Sequence, residues 1–234
     1  MSANSALIAT TNTEYDVKIF SVEGNIGSGK STLVSQLKKN MPKNKINHSD
    51  IFYLDEPVHI WESIKDEEGK NIIEKFYANQ TKYAFSFQLM AYVSRLHELK
   101  KAIKSGYKII ICERSIYTDK NVFAKMLYDN KNIEKVNYEI YLKWFDEFTN
   151  DIPNIKYIYV KTSPEKCCER VIKRNRKGEN IPLEYLKTCG KYHNDWILIT
   201  ETNEILVLDG NVEYTEKAPD YWFSAITEFI NKNH

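Results

Sequence analysis

Gly24-Asn-Ile-Gly-Ser-Gly-Lys-Ser-Thr32 is the stretch of this sequence that decides the fold. It fits the phosphate-binding pattern G-x-x-x-x-G-K-[ST], with Lys30 and Ser31 at the last two positions. Residues 17–23 before it are apolar and β-branched and predict a strand, and the apolar residues at 33, 34 and 37 after it predict a helix. A strand, a glycine loop and a helix in this order are the context in which the pattern binds a nucleoside triphosphate.

The residue types in this loop suit a bound triphosphate. Glycines allow the backbone to turn tightly and to point its N–H groups at phosphate oxygens, and the N-terminus of the helix adds positive potential. Lys30 can neutralise the outer phosphates, and the Ser31 hydroxyl can bind a magnesium ion. We therefore expect the whole loop to contact the donor: Gly24, Asn25, Ile26, Gly27, Ser28, Gly29, Lys30, Ser31 and Thr32. The loop alone does not identify the acceptor of the phosphate.

Length and composition narrow the class of protein. The 234 residues fit one α/β domain, and the net charge of +1 gives no global field that would attract nucleic acid or a membrane. The four cysteines form no C-x-x-C pair, which disfavours a zinc site and a disulfide framework and favours a reducing, cytoplasmic location. No apolar stretch approaches the length of about 18 residues that a membrane span needs. Residues 1–15 resemble no targeting signal, so we expect a disordered tail there and one domain over 16–234.

Apolar runs that alternate with helical patterns predict the fold class. The predicted buried strands are residues 17–23, 51–54, 108–113, 155–160 and 204–208. The predicted helices are residues 31–39, two within 69–106, 137–149, 163–176, 182–201 and 218–233. The second helix of the 69–106 region is expected to begin near Thr81 and to end at Gly106 as its C-cap, and Ser163 is the expected N-cap of the helix that opens with Pro164. This order predicts a doubly wound α/β fold with a five-stranded parallel sheet, whose ligands gather at the carboxyl ends of the strands.

Charged residues follow two of the predicted strands. The stretch Asp55-Glu56-Pro57-Val58 comes directly after residues 51–54, and the Glu56 carboxylate there could take the proton from an attacking hydroxyl. Glu113 ends the strand 108–113 and could contribute to a magnesium site, while Arg114 could bridge the acceptor oxygen and the transferring phosphoryl group. A helix N-cap or a surface acid is the alternative for Glu56, and an ordinary strand-end ion pair is the alternative for Glu113 and Arg114.

Two predicted helices carry further candidates. Arg170 and Arg174 share one helix face, so an arginine-bearing lid over the phosphates is one reading and a solvated basic face or a nucleic-acid patch is the other. In the long helix, a glutamine amide can pair with a base edge and aromatic rings can pack on its face, although most of this helix is expected to be core. The candidates on that helix are Phe87, Gln88, Ala91 and Arg95.

Five motifs follow one another along the chain: the glycine loop, Glu56-Pro-Val58, Phe85-Ser-Phe-Gln88, Glu113-Arg-Ser115 and Ile181-Pro-Leu-Glu-Tyr-Leu186. In this order and spacing, the motifs resemble those of one family, the deoxyribonucleoside kinases, and in particular the deoxycytidine/deoxyguanosine kinase branch. The resemblance runs from about residue 18 to residue 209. It implies a doubly wound α/β fold, a homodimer, and transfer of the γ-phosphoryl group of ATP to the 5′-hydroxyl of a deoxyribonucleoside in nucleotide salvage.

Carried over position by position, the resemblance implies catalytic roles for Lys30, Glu56 and Arg114, with Glu56 as the general base and Mg²⁺ held by Ser31 and Glu113. The implied nucleoside contacts are Glu56, Trp61, Tyr77, Phe87, Gln88, Ala91, Arg95, Arg114, Asp119, Phe123 and Glu179. Gln88 would read the base, Phe123 would stack on it, and Tyr77 and Glu179 would bind the sugar 3′-hydroxyl. A lid over about residues 163–181 would place Arg170, Arg174 and Arg176 over the phosphates, and an adenine-facing loop would contain Val212, Glu213 and Tyr214.

The same resemblance suggests a base preference. The pair of Asp119 and Arg95 is similar to that of the cytidine- and purine-accepting members. A carboxylate accepts a hydrogen bond from an exocyclic amine, whereas thymine offers a carbonyl and a methyl group. Deoxycytidine, deoxyadenosine or deoxyguanosine are therefore expected to be favoured over thymidine. The lid is one residue shorter than in the vertebrate members, which makes Glu179 a shifted match.

Other nucleotide-binding classes use the same loop. A nucleoside monophosphate kinase of the thymidylate kinase type shares the loop and the arginine lid, but Glu56 in the acceptor region would repel a monophosphate. A GTP-hydrolysing switch is disfavoured because no Asn-Lys-x-Asp motif is present. A non-catalytic nucleotide-binding regulator is disfavoured because Lys30, Glu56, Glu113 and Arg114 occur together. No nucleic acid or membrane partner is expected.

Overall fold

A five-stranded parallel sheet forms the centre of the fold in this computed structural model, which describes residues 15–41, 47–176, 179–199, 204–213 and 218–233. The strands are β1 (Lys18–Glu23), β2 (Ile51–Leu54), β3 (Ile109–Glu113), β4 (Ile155–Lys161) and β5 (Ile205–Asp209). They stand in the order β2-β3-β1-β4-β5, and every neighbouring pair is parallel. The chain leaves β1 toward β2 and leaves β3 toward β4, in opposite directions, so a crevice opens between the carboxyl ends of β1 and β3.

The central strands are mostly apolar because both faces of the sheet are covered. In β1, Ile19 and Phe20 are both buried but belong to different clusters of core side chains. Ile110 and Ile111 of β3 divide between the same two clusters. Since successive side chains of a strand point to opposite faces, this division shows one core on each side of the sheet. The predicted doubly wound α/β fold is confirmed.

Helices cover both faces of the sheet. Their bounds are α1 (Lys30–Asn40), α2 (Val58–Ser63), α3 (Ile72–Ala78), α4 (Gln80–Ile103), α5 (Ile116–Thr118), α6 (Lys125–Asp129), α7 (Lys135–Thr149), α8 (Pro164–Arg174), α9 (Leu183–Ile197) and α10 (Asp220–Asn233). A short 3₁₀ turn, His48–Asp50, precedes β2, and a π-helical segment, Asp119–Ala124, joins α5 to α6. Helices α1 and α10 pack with Phe20 in one core, and the C-terminal half of α4 packs with Ile19 in the other.

Local sequence signals account for several helix ends. Asn71 and Glu74 form a capping box at the start of α3, and the Asn79 side chain accepts a hydrogen bond from the Lys82 N–H at the start of α4. Ser163 caps α8 as predicted, with Pro164 in its first turn.

Three helices end earlier than the sequence predicts. Helix α4 ends at Ile103, and Gly106 lies beyond it in a turn with φ 82° rather than at the cap itself. Helix α8 ends at Arg174 because Asn175 adopts a left-handed conformation. The predicted helix 182–201 ends at Ile197, and its last two residues lie outside the described part of the chain.

Helix α2 and the segment from α5 to α6 were not predicted. The first has only six residues, and the second is widened by its π-helical turn, which breaks the 3.6-residue spacing of apolar side chains. Of the predicted tail, residues 1–14 lie outside the described part, while Tyr15 packs half-buried on the core that contains Ile19. Among the described helices, none is long and apolar enough to cross a membrane.

Candidate active site

The glycine loop turns tightly between β1 and α1 at the crevice. Gly24 has φ 146° and Gly27 has φ 81°, which are left-handed conformations that favour glycine. A Cβ atom would come within 2.7 Å of the Val160 carbonyl oxygen at Gly24 and within 2.5 Å of the Cys167 carbonyl oxygen at Gly27. The glycines therefore allow the loop to lie directly against β4 and α8.

Lys30 is buried at the start of α1, and its Nζ donates a hydrogen bond to the Asn25 carbonyl oxygen at 2.8 Å. Burial and the charge of Arg114 lower the pKa of Lys30 to about 8, while the carboxylates of Glu113 and Glu56 act in the opposite direction. A cation whose own environment disfavours its charge gains most when an anion arrives, so Lys30 is suited to a phosphate ligand.

Ser31 lies one residue further along α1 and faces the end of β3. Its Oγ donates to the Glu113 carboxylate at 2.6 Å. Burial and the neighbouring Glu56 raise the pKa of Glu113, and the charge of Lys30 opposes them. A hydroxyl and a carboxylate are the oxygen ligands that Mg²⁺ takes from proteins when substrate phosphates and waters complete its shell. The pair therefore fits a magnesium ion next to the phosphate loop.

Glu56 lies just beyond β2, between two guanidinium groups. Its Oε1 accepts hydrogen bonds from Arg95 Nη2 at 2.9 Å and from Arg114 Nε at 3.3 Å. Burial alone would raise the pKa of Glu56, but the charges of Arg95, Arg114 and Lys30 outweigh it and hold the pKa well below its usual range. The carboxylate is therefore ionised near neutral pH and ready to accept a proton.

Arg95 also binds the buried carboxylate of Asp119. Its Nε donates to Asp119 Oδ2 at 2.9 Å, and its Nη1 donates to the Glu113 carbonyl oxygen at 3.1 Å. Burial raises the pKa of Asp119 to about 6, and the charge of Arg95 opposes that rise. Asp119 begins the π-helical segment, and Phe123 on the same segment also lines the cleft. Such segments are frequent at functional sites.

Aromatic side chains form a slot beside these charges. The Phe87 ring lies 5.6 Å from the Trp61 ring and 4.9 Å from the Phe76 ring, between centroids. The Trp61 indole N–H donates to Ser94 Oγ at 2.9 Å, which fixes its orientation. Gln88 is buried there, and its Oε1 has no hydrogen-bond partner among the described residues. A buried amide oxygen that has no partner, in an aromatic slot, is suited to a polar ring such as a nucleobase.

The arginines of α8 approach the phosphate loop from the other side. Arg170 donates to the Ser28 carbonyl oxygen at 3.2 Å and to the Val212 carbonyl oxygen at 3.3 Å, so it ties α8 to both loops. Arg174 forms an ion pair with Glu179 at 2.5 Å, and the Glu179 side chain is only 6% exposed. The family resemblance implied ligand contacts for both residues and did not predict this ion pair within the lid.

One cleft of about 510 Å³ brings these groups together. All the predicted nucleoside-binding residues line it: Glu56, Trp61, Tyr77, Phe87, Gln88, Ala91, Arg95, Arg114, Asp119, Phe123 and Glu179. So do Ile26, Gly27, Gly29, Lys30, Ser31, Thr32, Glu113, Arg170, Arg174 and Arg176.

Some predicted donor-site residues do not line this cleft. Gly24, Asn25 and Ser28 lie behind its surface, where the Asn25 Nδ2 donates to the Leu186 carbonyl oxygen at 2.8 Å and ties the loop to α9. Val212 and Glu213 lie outside the lining, and the Glu213 carboxylate pairs with Lys166. Tyr214 lies outside the described residues.

Sequence reasoning missed four residues of the lining: Ile73, Phe76, Lys173 and Tyr185. Phe76 and Tyr185 could have been found, because one precedes the predicted Tyr77 and the other lies inside the quoted motif 181–186. Ile73 and Lys173 carry no signal beyond helical spacing.

A glycine loop at the switch point of a doubly wound sheet, with an ionised carboxylate facing it across one cleft, defines a nucleotide-dependent phosphotransferase. The sequence model described as deoxynucleoside kinase matches residues 20–231. The chain belongs to this family and is a kinase that phosphorylates deoxynucleosides.

Named relatives agree with this assignment. The chain is 34% identical to deoxycytidine kinase 2 of Gallus gallus, over 90% of this chain and 89% of that protein. It is 32% identical to the deoxycytidine kinase of Homo sapiens, over 86% of each chain, and 32% identical to that of Bos taurus, over 92% of each.

Proposed function

We propose that this chain transfers the γ-phosphoryl group of ATP to the 5′-hydroxyl of a deoxyribonucleoside, and that it favours deoxycytidine, deoxyadenosine or deoxyguanosine over thymidine. The observation that carries the proposal is the position of Glu56, which is hydrogen-bonded by Arg95 and Arg114 in the same cleft as the glycine loop. That arrangement suits a neutral hydroxyl acceptor, because an acceptor phosphate would be repelled by the carboxylate. The product would enter nucleotide salvage.

In the proposed reaction, Glu56 accepts the proton of the 5′-hydroxyl as the oxygen attacks the γ-phosphorus. The bond between the γ-phosphorus and the bridging oxygen to the β-phosphate breaks, and ADP leaves. Arg114 donates to that oxygen and to Glu56, which aligns the attacking atom with the phosphate. Lys30 places positive charge on the outer phosphates, and Arg170, Arg174 and Arg176 supply further charge from α8 and the chain after it. Ser31 and Glu113 would hold Mg²⁺, which neutralises charge on the β- and γ-phosphate oxygens when it is bound.

Base preference is proposed to depend on Asp119 and Gln88. Asp119 is held by Arg95 through Oδ2, and at neutral pH its carboxylate accepts a hydrogen bond from an exocyclic amine. The Gln88 amide can offer both an acceptor and donors to a base edge. Cytosine, adenine and guanine carry exocyclic amines, whereas thymine presents a carbonyl oxygen and a methyl group at the corresponding edge. The names of the relatives, deoxycytidine kinases, support the same preference.

We also propose that the chain forms a homodimer through α7. Val136, Ile140, Trp144 and Phe148 follow each other at intervals of four residues and are each at least 39% exposed. Val93 on α4 adds a fifth exposed apolar side chain. An exposed apolar row on one helix side suits a self-complementary contact between two copies.

A cytoplasmic location stays a prediction, supported by the four free cysteines.

A single assay tests the proposed function. Purified protein is incubated with Mg²⁺, a donor and a panel of deoxyribonucleosides and deoxyribonucleoside monophosphates, and each product is measured. We expect 5′-monophosphates to form, with kcat/KM for at least one of deoxycytidine, deoxyadenosine and deoxyguanosine above that for thymidine. Phosphorylation of monophosphates alone, or a higher kcat/KM for thymidine than for all three, would overturn the proposal. Replacing ATP with UTP in the same panel identifies the donor.

A further inference from the structure

Arg114 is held in an unusual backbone conformation at the centre of the cleft. Its φ is 68°, in the left-handed region that a residue other than glycine, such as arginine, rarely adopts. The backbone N–H of Arg114 donates to the Val22 carbonyl oxygen at 3.0 Å, and that of Ser115 donates to the buried Glu23 carboxylate at 2.8 Å. The strained turn therefore aims the Arg114 side chain into the site.

The guanidinium group of Arg114 has contacts besides the one with Glu56. Its Nη1 donates to the Gly24 carbonyl oxygen at 3.2 Å and lies 3.4 Å from His193 Nε2, and its central carbon lies 4.9 Å from the centroid of the Phe123 ring. The loop carbonyl and the imidazole thus hold one nitrogen while Glu56 binds another. The proposed mechanism uses the contact with Glu56 but gives the histidine no role.

His193 on α9 is fully buried, and its two ring nitrogens have different partners. Nδ1 lies 2.8 Å from the Cys189 carbonyl oxygen, which can only accept, so Nδ1 carries the proton. Nε2 faces a guanidinium, which can only donate, so Nε2 accepts. Both contacts are satisfied by one tautomer of a neutral imidazole.

The surroundings keep this ring uncharged and fixed in place. Burial and the charge of Arg114 hold the pKa of His193 well below its usual value, Lys30 acts in the same direction, and only the Cys189 carbonyl opposes them. The Tyr159 ring stacks on the imidazole at 6.4 Å with 7° between the planes, and the Phe123 ring meets it edge-on at 6.2 Å. A protonated ring would repel Arg114, so only the neutral form supports the observed contact.

We propose that His193 is a positioning residue for phosphoryl transfer, which orients the Arg114 guanidinium by accepting a hydrogen bond at Nε2. The inference rests on the proposed transfer to a nucleoside hydroxyl. Because Arg114 has to bind Glu56 and the attacking oxygen together, rotation of its guanidinium would lower the rate of transfer more than the binding of either substrate.

Three variants test this role. His193→Phe keeps a flat ring without an acceptor, and we expect kcat to fall about 10-fold or more, with the KM for nucleoside and for ATP changed less than about 3-fold. His193→Gln places an amide oxygen near the position of Nε2 and should retain most of kcat. His193→Asn has a shorter amide, which reaches the Cys189 side but not Arg114, and should lose kcat as the phenylalanine variant does. If the phenylalanine variant does not fold, the Gln and Asn pair decides the question.

A double-mutant cycle separates positioning from general stability. In an Arg114→Ala background, His193→Asn should change kcat less than about 2-fold, because its effect passes through the missing guanidinium. Equal losses in both backgrounds, or unchanged kcat for His193→Asn in the otherwise natural chain, would overturn the inference. Thermal unfolding of each variant checks that the proteins are folded. If the natural chain phosphorylates no nucleoside, the proposed function itself fails, whatever the variants do.

Discussion

Glu56 and Asp119 accept hydrogen bonds from the same guanidinium, that of Arg95, each at 2.9 Å. The carboxylate proposed to select the base is therefore connected through one side chain to the carboxylate proposed to accept the proton. A base that binds Asp119 well would hold Arg95, and with it Glu56, in the arrangement that transfer needs. This link predicts that changes at the base-selecting end alter the rate as well as the choice of substrate.

Asp119→Ala tests the link. Loss of a buried hydrogen-bond acceptor paired with a charge should lower kcat/KM for deoxycytidine by about 10- to 100-fold, because such bonds contribute about 1.5–3 kcal/mol. The kcat/KM ratio of deoxycytidine to thymidine should fall, and kcat should decrease for both nucleosides. Asp146→Ala is the control, since Asp146 pairs with Lys120 at the surface and is 68% exposed. An unchanged ratio would remove Asp119 from base selection.

Glu56→Gln tests the proposed general base. The amide keeps the size of the side chain but cannot accept the proton, so kcat should fall by about 10² or more, while the KM for ATP changes little. Glu62→Gln on α2 is the matched control, because that glutamate is exposed. If kcat of the Glu56 variant stays within about 3-fold of the natural chain, proton transfer to Glu56 does not contribute to the rate.

The sequence could predict the edge of the sheet where these groups meet, but not their partners. Glu113 ends a strand that an apolar run defines, Glu56 and Arg114 come just after such strands, and the carboxyl ends of parallel strands lie together. The contact between Arg95 and Glu56 joins positions 39 residues apart, which no periodic pattern encodes. It depends on how α4 packs against β2.

Two other features lay beyond the sequence for different reasons. The π-helical turn that begins at Asp119 departs from the 3.6-residue period that predicts helices from sequence. Asp119 was therefore predicted as a site residue only through the family resemblance. His193 is one histidine on a helix, and a lone histidine gives no signal until the strained Arg114 is seen beside it. Long-range contacts between single side chains are thus the part of the site that only the structure could reveal.

The lowered pKa of Lys30 predicts that ATP binding depends on pH. Its pKa of about 8 in the free protein means that the ammonium loses its charge as the pH rises above about 8. A bound triphosphate favours the charged form, so the loss should be visible in kcat/KM for ATP and shifted to higher pH in kcat. Initial rates from pH 6.5 to 10 at varied ATP measure both profiles. A kcat/KM profile that stays flat to pH 10 would contradict the assigned pKa.

Glu179→Ala tests the sugar contact in the shortened lid. Glu179 lines the cleft but is also paired with Arg174, so it can act on the nucleoside or on the lid. If it binds the 3′-hydroxyl, the KM for deoxyribonucleosides should rise about 10-fold or more, and the KM for a 2′,3′-dideoxyribonucleoside should not. Arg174→Ala removes the ion pair but leaves Glu179 in place, so it is the comparison: it should alter kcat or the KM for ATP, where Arg174 is proposed to act, and leave the nucleoside KM unchanged. An unchanged nucleoside KM for Glu179→Ala would remove this residue from the sugar site.

Trp144→Glu tests the proposed dimer. Trp144 lies in the middle of the exposed row on α7, 51% exposed and 5.4 Å from the Phe148 ring between centroids. Burying a carboxylate in an apolar contact costs several kcal/mol per copy, and a two-fold contact contains the change twice, so the dimer should dissociate. Sedimentation velocity at micromolar concentration should show a dimer for the natural chain and for Lys143→Glu, the exposed neighbour, and a monomer for Trp144→Glu. A natural chain that sediments as a monomer would contradict the proposed dimer, and a Trp144→Glu variant that stays dimeric would place the contact elsewhere on the surface.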